Sequence, residues 1–241
     1  MTEFGLPRRH FRVTDSTNDR ARELAEAGAP GGTVVTAASQ TAGRGRHGRV
    51  WAAPPGKALL YSAILRPLDA GHALLPLAVP VAVCEALESL APVRCEIKWP
   101  NDVWISERKV AGILIEARPP EWAVIGVGVN VAIKEDEFPD DLRWPAVSVG
   151  HGVTSHTARA ALDRALGVWT GAQPSLVLDG FRNRDALAGR AVTWIDGDAT
   201  ESGTAAGIDE VGNLLVEVGE GERVALGAGE VQLQLPSSLP R

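Results

Sequence analysis

Residues 36–66, TAASQTAGRGRHGRVWAAPPGKALLYSAILR, contain a loop rich in glycine and arginine between two apolar runs. The flanking runs, 33–38 and 58–65, have the composition of buried strands. Glycine lets the backbone approach a ligand closely, because it carries no Cβ atom. The arginines of the loop stand in a chain whose formal net charge is −6. Such a local positive charge favours a small anionic ligand over a nucleic-acid surface.

Two nucleotide-binding patterns match this loop only in part. Residues 43–48 have the spacing G-x-G-x-x-G, but a Rossmann fingerprint has to open a helix. The prolines and glycine at 54–56 do not permit a helix here. Lys57 lacks the earlier glycine and the following Ser or Thr of a P-loop. A solvated hairpin loop explains the glycines, but it does not explain why Trp51 lies among arginines.

The composition is that of a globular protein, with 45% hydrophobic and 22% charged residues. A chain of 241 residues is long enough for one sizeable domain and a small second one. No apolar run reaches the ~18 residues of a membrane span, and the N-terminus lacks the apolar segment of a secretory signal. Cys84 and Cys95 lie in apolar surroundings, which favours free thiols in a cytoplasmic protein. The histidines are too scattered for a zinc site.

Hydrophobic patterns and turn residues predict further elements on both sides of the loop. Strands are predicted at 10–13, 94–97, 103–105, 109–116 and 122–131, and helices at 17–27, 74–90 and 155–184, with a break at Pro174. Ser16 and Asp19 have the spacing of a capping box, and Gly28 ends the first helix. From residue 189 onward, short strands alternate with turns, as in a small β-barrel. The predicted domains are 1–187 and 188–236, followed by a disordered tail, 237–241.

Polar residues at two places in this pattern have more than one explanation. Thr17 and Asn18 lie at the start of a helix, and their polar side chains are not needed to cap it. Asn130 ends an apolar run, and a buried amide there must bond to neighbouring backbone or to a ligand. Glycines at 126 and 128 leave one face of that run bare, as where a ligand or another backbone approaches.

A third polar group lies around a predicted hairpin. Asn101 and Asp102 follow a strand that ends at Lys98, and Lys109 opens the next long strand. Each residue also suits an ordinary turn or an exposed strand end. Together they supply amide, carboxylate and cationic groups suited to Mg²⁺–phosphate chemistry.

Taken together, these blocks resemble the biotin protein ligase family. The blocks occur in that family's order and are Ser16-Thr17-Asn18, the loop from Gln40 to Arg49, Lys98–Asp102, Lys109–Leu114 and Gly126–Asn130. Segment 207–215 resembles the family's SH3-like barrel, and the similarity spans roughly residues 10–235. His47 departs from the pattern, since the family often has a third basic residue there. The resemblance implies an α+β catalytic domain like that of class II aminoacyl-tRNA synthetases, with a mixed, mainly antiparallel sheet, plus a C-terminal SH3-like β-barrel.

The resemblance also implies a reaction in two steps. Biotin and ATP give biotinyl-5′-AMP, and a lysine of a biotin carboxyl carrier domain then takes up the biotinyl group. Biotin contacts are implied for Ser16, Thr17, Asn18, Gln40, Arg44, Gly45, Arg46 and Lys109. Nucleotide contacts are implied for Arg46, Arg49, Trp51, Asn101, Asp102 and Asn130, with Trp51 stacked on adenine and Asp102 a candidate Mg²⁺ ligand. Lys109, Arg44 and Arg46 are the implied catalytic residues.

Alternatives differ in the ligand that they require. A lipoate or octanoate ligase of related fold would not need the Ser-Thr-Asn-Gln set, because its acyl chain is apolar. A nucleic-acid-binding module would need a wider basic face. The chain is not itself a biotin acceptor, since Met1 is its only methionine and it lacks a Met-Lys-Met sequence. The matching blocks begin at Ser16, so we expect neither a helix-turn-helix repressor domain nor a DNA partner. We expect no membrane partner, because no apolar run is long enough for a membrane span. A homodimer is left open.

Overall fold

The computed structural model describes residues 2–197, 199–219 and 221–228. Its strands are β1 (Arg8–Phe11), β2 (Val34–Ala37), β3 (Ala58–Leu65), β4 (Glu96–Lys98), β5 (Asp102–Ile105), β6 (Arg108–Arg118), β7 (Trp122–Asn130), β8 (Ala191–Asp196), β9 (Ala199–Ile208), β10 (Leu214–Val218) and β11 (Glu222–Leu226). Its α-helices are α1 (Thr17–Glu26), α2 (Leu75–Glu88), α3 (Ser155–Trp169) and α4 (Pro174–Arg182). The predicted strands and helices are present with shifted ends, and Pro174 opens α4 as expected of proline in a first turn.

The first seven strands form one mixed sheet in the order β1-β2-β3-β7-β6-β5-β4. Among these described strands, β1 and β2 pair in parallel, and every other neighbouring pair is antiparallel. The prediction of an α+β fold with a mixed, mainly antiparallel sheet is confirmed.

The two faces of this sheet pack differently. Helices α2 and α3 cover one face, where Tyr61 and Val127 belong to the main core. Helix α1 covers only part of the other face, where Ala21 and Ala25 pack in a smaller cluster with Ile64. Burial of these apolar side chains stabilises the sheet from both sides. The uncovered remainder of the second face, over β3, β7 and β6, carries the candidate site.

The capping box predicted at the start of α1 is wrong. Ser16 is the N-cap residue, but its side chain makes no capping hydrogen bond. The Ser16 N–H instead donates to Asp15 Oδ1 at 2.7 Å. Asp19 pairs with Arg22 at 2.7 Å and with Arg44 at 2.9 Å. Charge-assisted contacts of this kind are stronger than a hydrogen bond between neutral groups. The Asp19 carboxylate therefore pairs with the two arginines and does not take part in a capping box.

The four C-terminal strands form a second, antiparallel sheet in the order β11-β10-β9-β8. In the described part of the chain this sheet is open, not a closed barrel. Trp99 connects the two sheets, because its Nε1–H donates to the Gly212 carbonyl at 3.1 Å. The predicted domain end at 236 and the tail, 237–241, lie outside the described residues.

Two predictions from composition can be compared with the structure. Cys84 and Cys95 are free and buried, as predicted. Burial raises the pKa of the Cys84 thiol well above its ordinary value, which disfavours a reactive thiolate. Within the described residues, no helix combines the length and the apolar character needed to cross a membrane.

Candidate active site

A cavity of about 630 Å³ opens on the sheet face that α1 leaves uncovered. All residues to which the sequence gave a site role line this cavity: Ser16, Thr17, Asn18, Gln40, Arg44, Gly45, Arg46, Arg49, Trp51, Asn101, Asp102, Lys109 and Asn130. They come from α1, the arginine-rich loop and the strands β5 to β7. The fold therefore brings the separate sequence blocks to one place.

Glycines form the floor of the cavity. Gly112 on β6 lies directly opposite Gly128 on β7, and Gly126 lies on the same face as Gly128. A Cβ atom on Gly126 would lie 2.1 Å from Asn18 Oδ1, and one on Gly128 would lie 2.4 Å from Trp51 Cε2. The bare strand face predicted from the glycines thus makes room for the side chains of Asn18 and Trp51.

Hydrogen bonds hold the polar residues at one end of the cavity. Gln40 Oε1 accepts from the Thr17 N–H at 2.7 Å and from Thr17 Oγ1 at 3.0 Å. The buried hydroxyl of Ser62 lies 2.9 Å from Thr17 Oγ1 and donates to Asn18 Oδ1 at 2.6 Å. Thr17 thus occupies the Gln40 oxygen. The Gln40 Nε2 group makes no hydrogen bond with the residues that the structure describes, and it is available to donate to a ligand.

Lys109 reaches the glycine face because of a β-bulge. The pairing of β5 with β6 shifts after Val103, so that β6 has one extra residue between Lys109 and Ala111. Side chains alternate along a strand, and without the bulge Lys109 would face away from Gly112. Its Nζ instead lies 3.3 Å from the position of a Cβ atom on Gly112 and 5.6 Å from the centre of the Trp51 ring.

Asp102 is buried next to Lys109. The two residues form an ion pair, with 2.7 Å between Lys109 Nζ and Asp102 Oδ1. Apart from Lys109, Oδ1 has no partner within the described chain. A buried carboxylate oxygen in this state is suited to accept a cation or a donor from a ligand.

The amides of Asn101 and Asn130 are partly used by the protein itself. Asn101 Nδ2 donates to the Ile113 carbonyl at 3.0 Å. Asn130 Nδ2 lies 3.3 Å from the carbonyls of Lys109 and Val147. Backbone contacts therefore use both N–H groups of Asn130 and one N–H group of Asn101, which leaves the oxygen of each amide and the second N–H of Asn101 to meet a ligand.

Lys98 brings a second ammonium group to the cavity. It is 5% exposed, and its Nζ lies 4.9 Å from the ring centre of Trp144 and 6.0 Å from that of Trp104. Burial lowers the pKa of Lys98 to about 8, and the Asp102 charge opposes this shift. The guanidinium of Arg143 lies 5.7 Å from the Trp144 ring. This end of the cavity combines cations with an aromatic surface.

Two arginines of the arginine-rich loop attach it to other elements. Arg44 pairs with Asp19 at 2.9 Å and with Glu116 at 3.0 Å, so it ties the loop to α1 and β6. Arg46 donates to the Ala228 carbonyl next to the second sheet, and burial lowers the pKa of Arg46. The loop folds back on itself, because the Trp51 N–H donates to the Gly43 carbonyl at 3.0 Å.

Comparisons with known proteins identify the family of this chain. Residues 10–130 match the biotin/lipoate A/B protein ligase family, and residues 188–234 match the biotin protein ligase C-terminal domain. The chain is 36% identical to a biotin–[acetyl-CoA-carboxylase] ligase from Mycobacterium tuberculosis, over 90% of this chain and 85% of that protein. The chain belongs to the biotin protein ligase family. The resemblance found in the sequence blocks is confirmed.

Solved biotin protein ligases have the same fold. The enzyme from Aquifex aeolicus in complex with biotin and ATP is 27% identical, with a TM-score of 0.79 over 96% of this chain and 100% of that chain. The enzyme from Leishmania major in complex with biotinyl-5-AMP is 26% identical, with a TM-score of 0.67 over 93% of this chain and 100% of that chain.

Sequence reasoning missed several residues of this biotin protein ligase site. Ser62 was hidden in an apolar strand, where its hydroxyl was the available signal. The wall that includes Trp144 comes from the segment between residues 132 and 154, for which the sequence predicted neither an element nor a site residue. A tryptophan in so polar a loop was the signal that was not used.

Proposed function

We propose that this protein activates biotin with ATP as biotinyl-5′-AMP and transfers the biotinyl group to a lysine of a biotin carboxyl carrier domain. The observation that carries the proposal is a row of groups along the glycine floor. Asn18 lies over Gly126, Trp51 extends over Gly128 and Gly112, and the Lys109 ammonium lies beside Trp51 at Gly112. This order, polar then apolar then cationic, matches the ureido ring, the aliphatic chain and the carboxylate of biotin.

The polar end supports recognition of the ureido ring. That ring has N–H donors and a carbonyl acceptor, so it needs both kinds of partner. Gln40 Nε2 and the Ser16 hydroxyl, which makes no capping hydrogen bond, supply donors. Asn18 Oδ1 supplies an acceptor. Lipoate and octanoate have no group that would use this set, which separates the proposal from the related ligases.

For Trp51 we propose a role different from the adenine stacking that the resemblance implies. Its indole lies against the floor between Asn18 and Lys109, where the aliphatic chain of biotin would pass. We therefore assign Trp51 to the acyl chain. Trp144, with Lys98 nearby, is the better platform for adenine, because an aromatic face beside cations suits a base joined to phosphates.

Charge stabilisation supports the first step. A biotin carboxylate oxygen attacks the α-phosphorus of ATP, and the bond to pyrophosphate breaks. Lys109 would lie between the carboxylate and the α-phosphate, while Arg46 and Arg49 neutralise the other phosphate oxygens. Arg44 and the Gly45 backbone would close the loop over the carboxylate. Catalysis of this kind depends on position and on charge, without a covalent enzyme intermediate.

Asp102 fits a Mg²⁺ ion that arrives with ATP. In the described residues no group of three or more metal-binding side chains occurs, but Mg²⁺ commonly binds one or two carboxylates and the substrate phosphates. The Oδ1 atom of Asp102, whose one partner in the described residues is Lys109, is the group that would hold the ion, and the Asn101 oxygen is a second candidate ligand. The ion would supply positive charge to the phosphates.

Loop closure supports the second step. The amine of the acceptor lysine attacks the carbonyl carbon of the mixed anhydride, the bond to AMP breaks, and the amine loses a proton. A closed arginine-rich loop keeps water from the anhydride until the acceptor arrives.

The transfer reaction tests the proposal as a whole. The purified protein would be incubated with biotin, MgATP and an isolated carrier domain, and the intact mass of the carrier would be measured. Addition of one biotinyl group, absent from a carrier whose acceptor lysine is replaced by alanine, is the expected result. A carrier of unchanged mass in both reactions would refute the proposal.

A further inference from the structure

We propose that Glu116 is a positioning residue that fixes the direction of the Asn18 amide, and that it thereby sets the hydrogen-bonding groups that biotin meets. The inference rests on the proposed function and deepens it. Glu116 lies on β6 outside the sequence blocks that predicted the site, and it does not line the cavity. It therefore acts on biotin through the cavity residues that it contacts, Asn18 and Arg44, and the variants below separate these two routes.

The partners of Asn18 permit a single orientation of its amide. Glu116 Oε2 lies 2.9 Å from Asn18 Nδ2, and a carboxylate only accepts hydrogen bonds, so the nitrogen must face it. The Leu114 carbonyl, 3.3 Å from the same nitrogen, has the same requirement. On the other side, Ser62 Oγ donates to Asn18 Oδ1 at 2.6 Å. The acceptor oxygen is therefore the atom presented next to the cavity floor.

Glu116 is itself held in place by charge. Arg44 contacts both carboxylate oxygens, with 3.0 Å from Nη2 to Oε1 and 3.4 Å from Nη1 to Oε2. Arg22 lies 3.7 Å from Oε1, and Asp19 pairs with both arginines. Two carboxylates and two guanidinium groups thus form a balanced cluster. This cluster connects the Asn18 amide to the arginine-rich loop.

Close packing prevents the Asn18 side chain from moving away, so the main change open to it is a rotation of its amide group by 180°. Its side chain fills the space where Gly126 lacks a Cβ atom, and Asn18 is 5% exposed. A rotated amide would turn a donor toward the position that now offers an acceptor. Biotin, with two ring N–H groups, would lose a partner, whereas ATP would not be affected. The effect of Glu116 should therefore fall on biotin alone.

Three variants separate this role from a general structural one. Kinetic constants would be measured by biotin-dependent ATP–pyrophosphate exchange. Glu116→Ala should raise KM for biotin about tenfold or more, with KM for ATP changed less than about twofold. Glu116→Gln keeps an oxygen for Asn18 Nδ2 and should recover most of the affinity. Asp19→Asn removes an Arg44 partner without contacting Asn18, and should change KM for biotin less than about threefold.

Several results would overturn the inference. These are an unchanged KM for biotin in Glu116→Ala, an equal rise in both KM values, or a Glu116→Gln variant as impaired as Glu116→Ala. If Glu116→Ala does not fold, two other variants test the inference, Asn18→Asp and the double variant Asn18→Asp/Glu116→Gln. Asn18→Asp places two carboxylates against each other. The added Glu116→Gln change supplies an amide N–H donor that faces the new carboxylate. The double variant should bind biotin more tightly than Asn18→Asp, and equal or weaker binding refutes the proposal. Absence of biotin-dependent exchange in the unmodified protein would instead refute the proposed function.

Discussion

Lys109 and Asp102 face each other across the bulged β5–β6 pair, with 2.7 Å between the ammonium nitrogen and Oδ1. The bulge puts the ammonium on the glycine face, and the ion pair holds it there. Apart from Lys109, Asp102 Oδ1 has no partner in the described residues. We propose that Lys109 exchanges this carboxylate for substrate anions, whose charge replaces that of Asp102.

Replacing Lys109 by alanine should lower kcat of biotin-dependent exchange by about 100-fold to 1000-fold, because a preorganised cation at the reacting oxygens is lost. Lys134→Ala is the matched control, since Lys134 is exposed and does not line the cavity. Initial rates at saturating biotin and ATP measure the effect. Similar kcat values for the two variants would contradict the role of Lys109.

The pKa of Lys98 predicts a pH dependence of ATP use. Burial lowers this pKa to about 8, so the ammonium loses its proton as pH rises through that value. Less positive charge then faces the phosphates, and kcat/KM for ATP should fall by about fivefold to tenfold between pH 7 and pH 9. Lys98→Arg stays protonated over this range and should flatten the profile. An equal slope in the variant would show that another group titrates.

Arg46→Gly should release biotinyl-AMP about 10-fold to 100-fold faster, because a charge-assisted contact is lost and the loop becomes more flexible. The freed adenylate should then label exposed lysines of a bystander protein that has no carrier domain. His47→Gly is the control within the loop, since His47 already has φ of 55°, which glycine adopts freely. Tight retention of the adenylate by Arg46→Gly would contradict the proposed closure.

The glycine floor gives a steric prediction. A methyl group on Gly128 would lie 2.4 Å from Trp51 Cε2, so Gly128→Ala must displace the indole. Biotin should then bind about tenfold more weakly, as measured by calorimetry, because overpacking costs about 1–3 kcal/mol. Gly167→Ala on α3 is the comparison, with the nearest atom at 3.3 Å from its methyl group. Unchanged biotin affinity in Gly128→Ala would refute the position of Trp51.

Local patterns in the sequence predicted most of the fold. The helix over 74–90, the hairpin after Asp102 and the break at Pro174 each depend on residues close together in the chain. The prediction of a capping box at Ser16 was wrong because the contacts of Asp19 depend partly on a residue far away in the chain. Asp19 found arginine partners, and one of them, Arg44, is distant in sequence.

Some features of the candidate site could likewise be predicted from the sequence, and others could not. The family resemblance of its sequence blocks gave the site residues, and all of these residues line one cavity. The orientation of Lys109 depends on strand register, however, and the contacts of Trp51 depend on two glycines in other strands. Glu116 and Trp144 have no local motif. Such features require the folded chain, because they arise from pairs of residues that only tertiary structure brings together.

ATP–pyrophosphate exchange with biotin, and separately with lipoate and octanoate, tests the central claim most directly. The order of polar, apolar and cationic groups on the floor predicts exchange that depends on biotin and is absent with the other two acids. Exchange with lipoate or octanoate but not with biotin would contradict the assignment of the polar end to a ureido ring. Exchange with none of the acids would contradict adenylation itself.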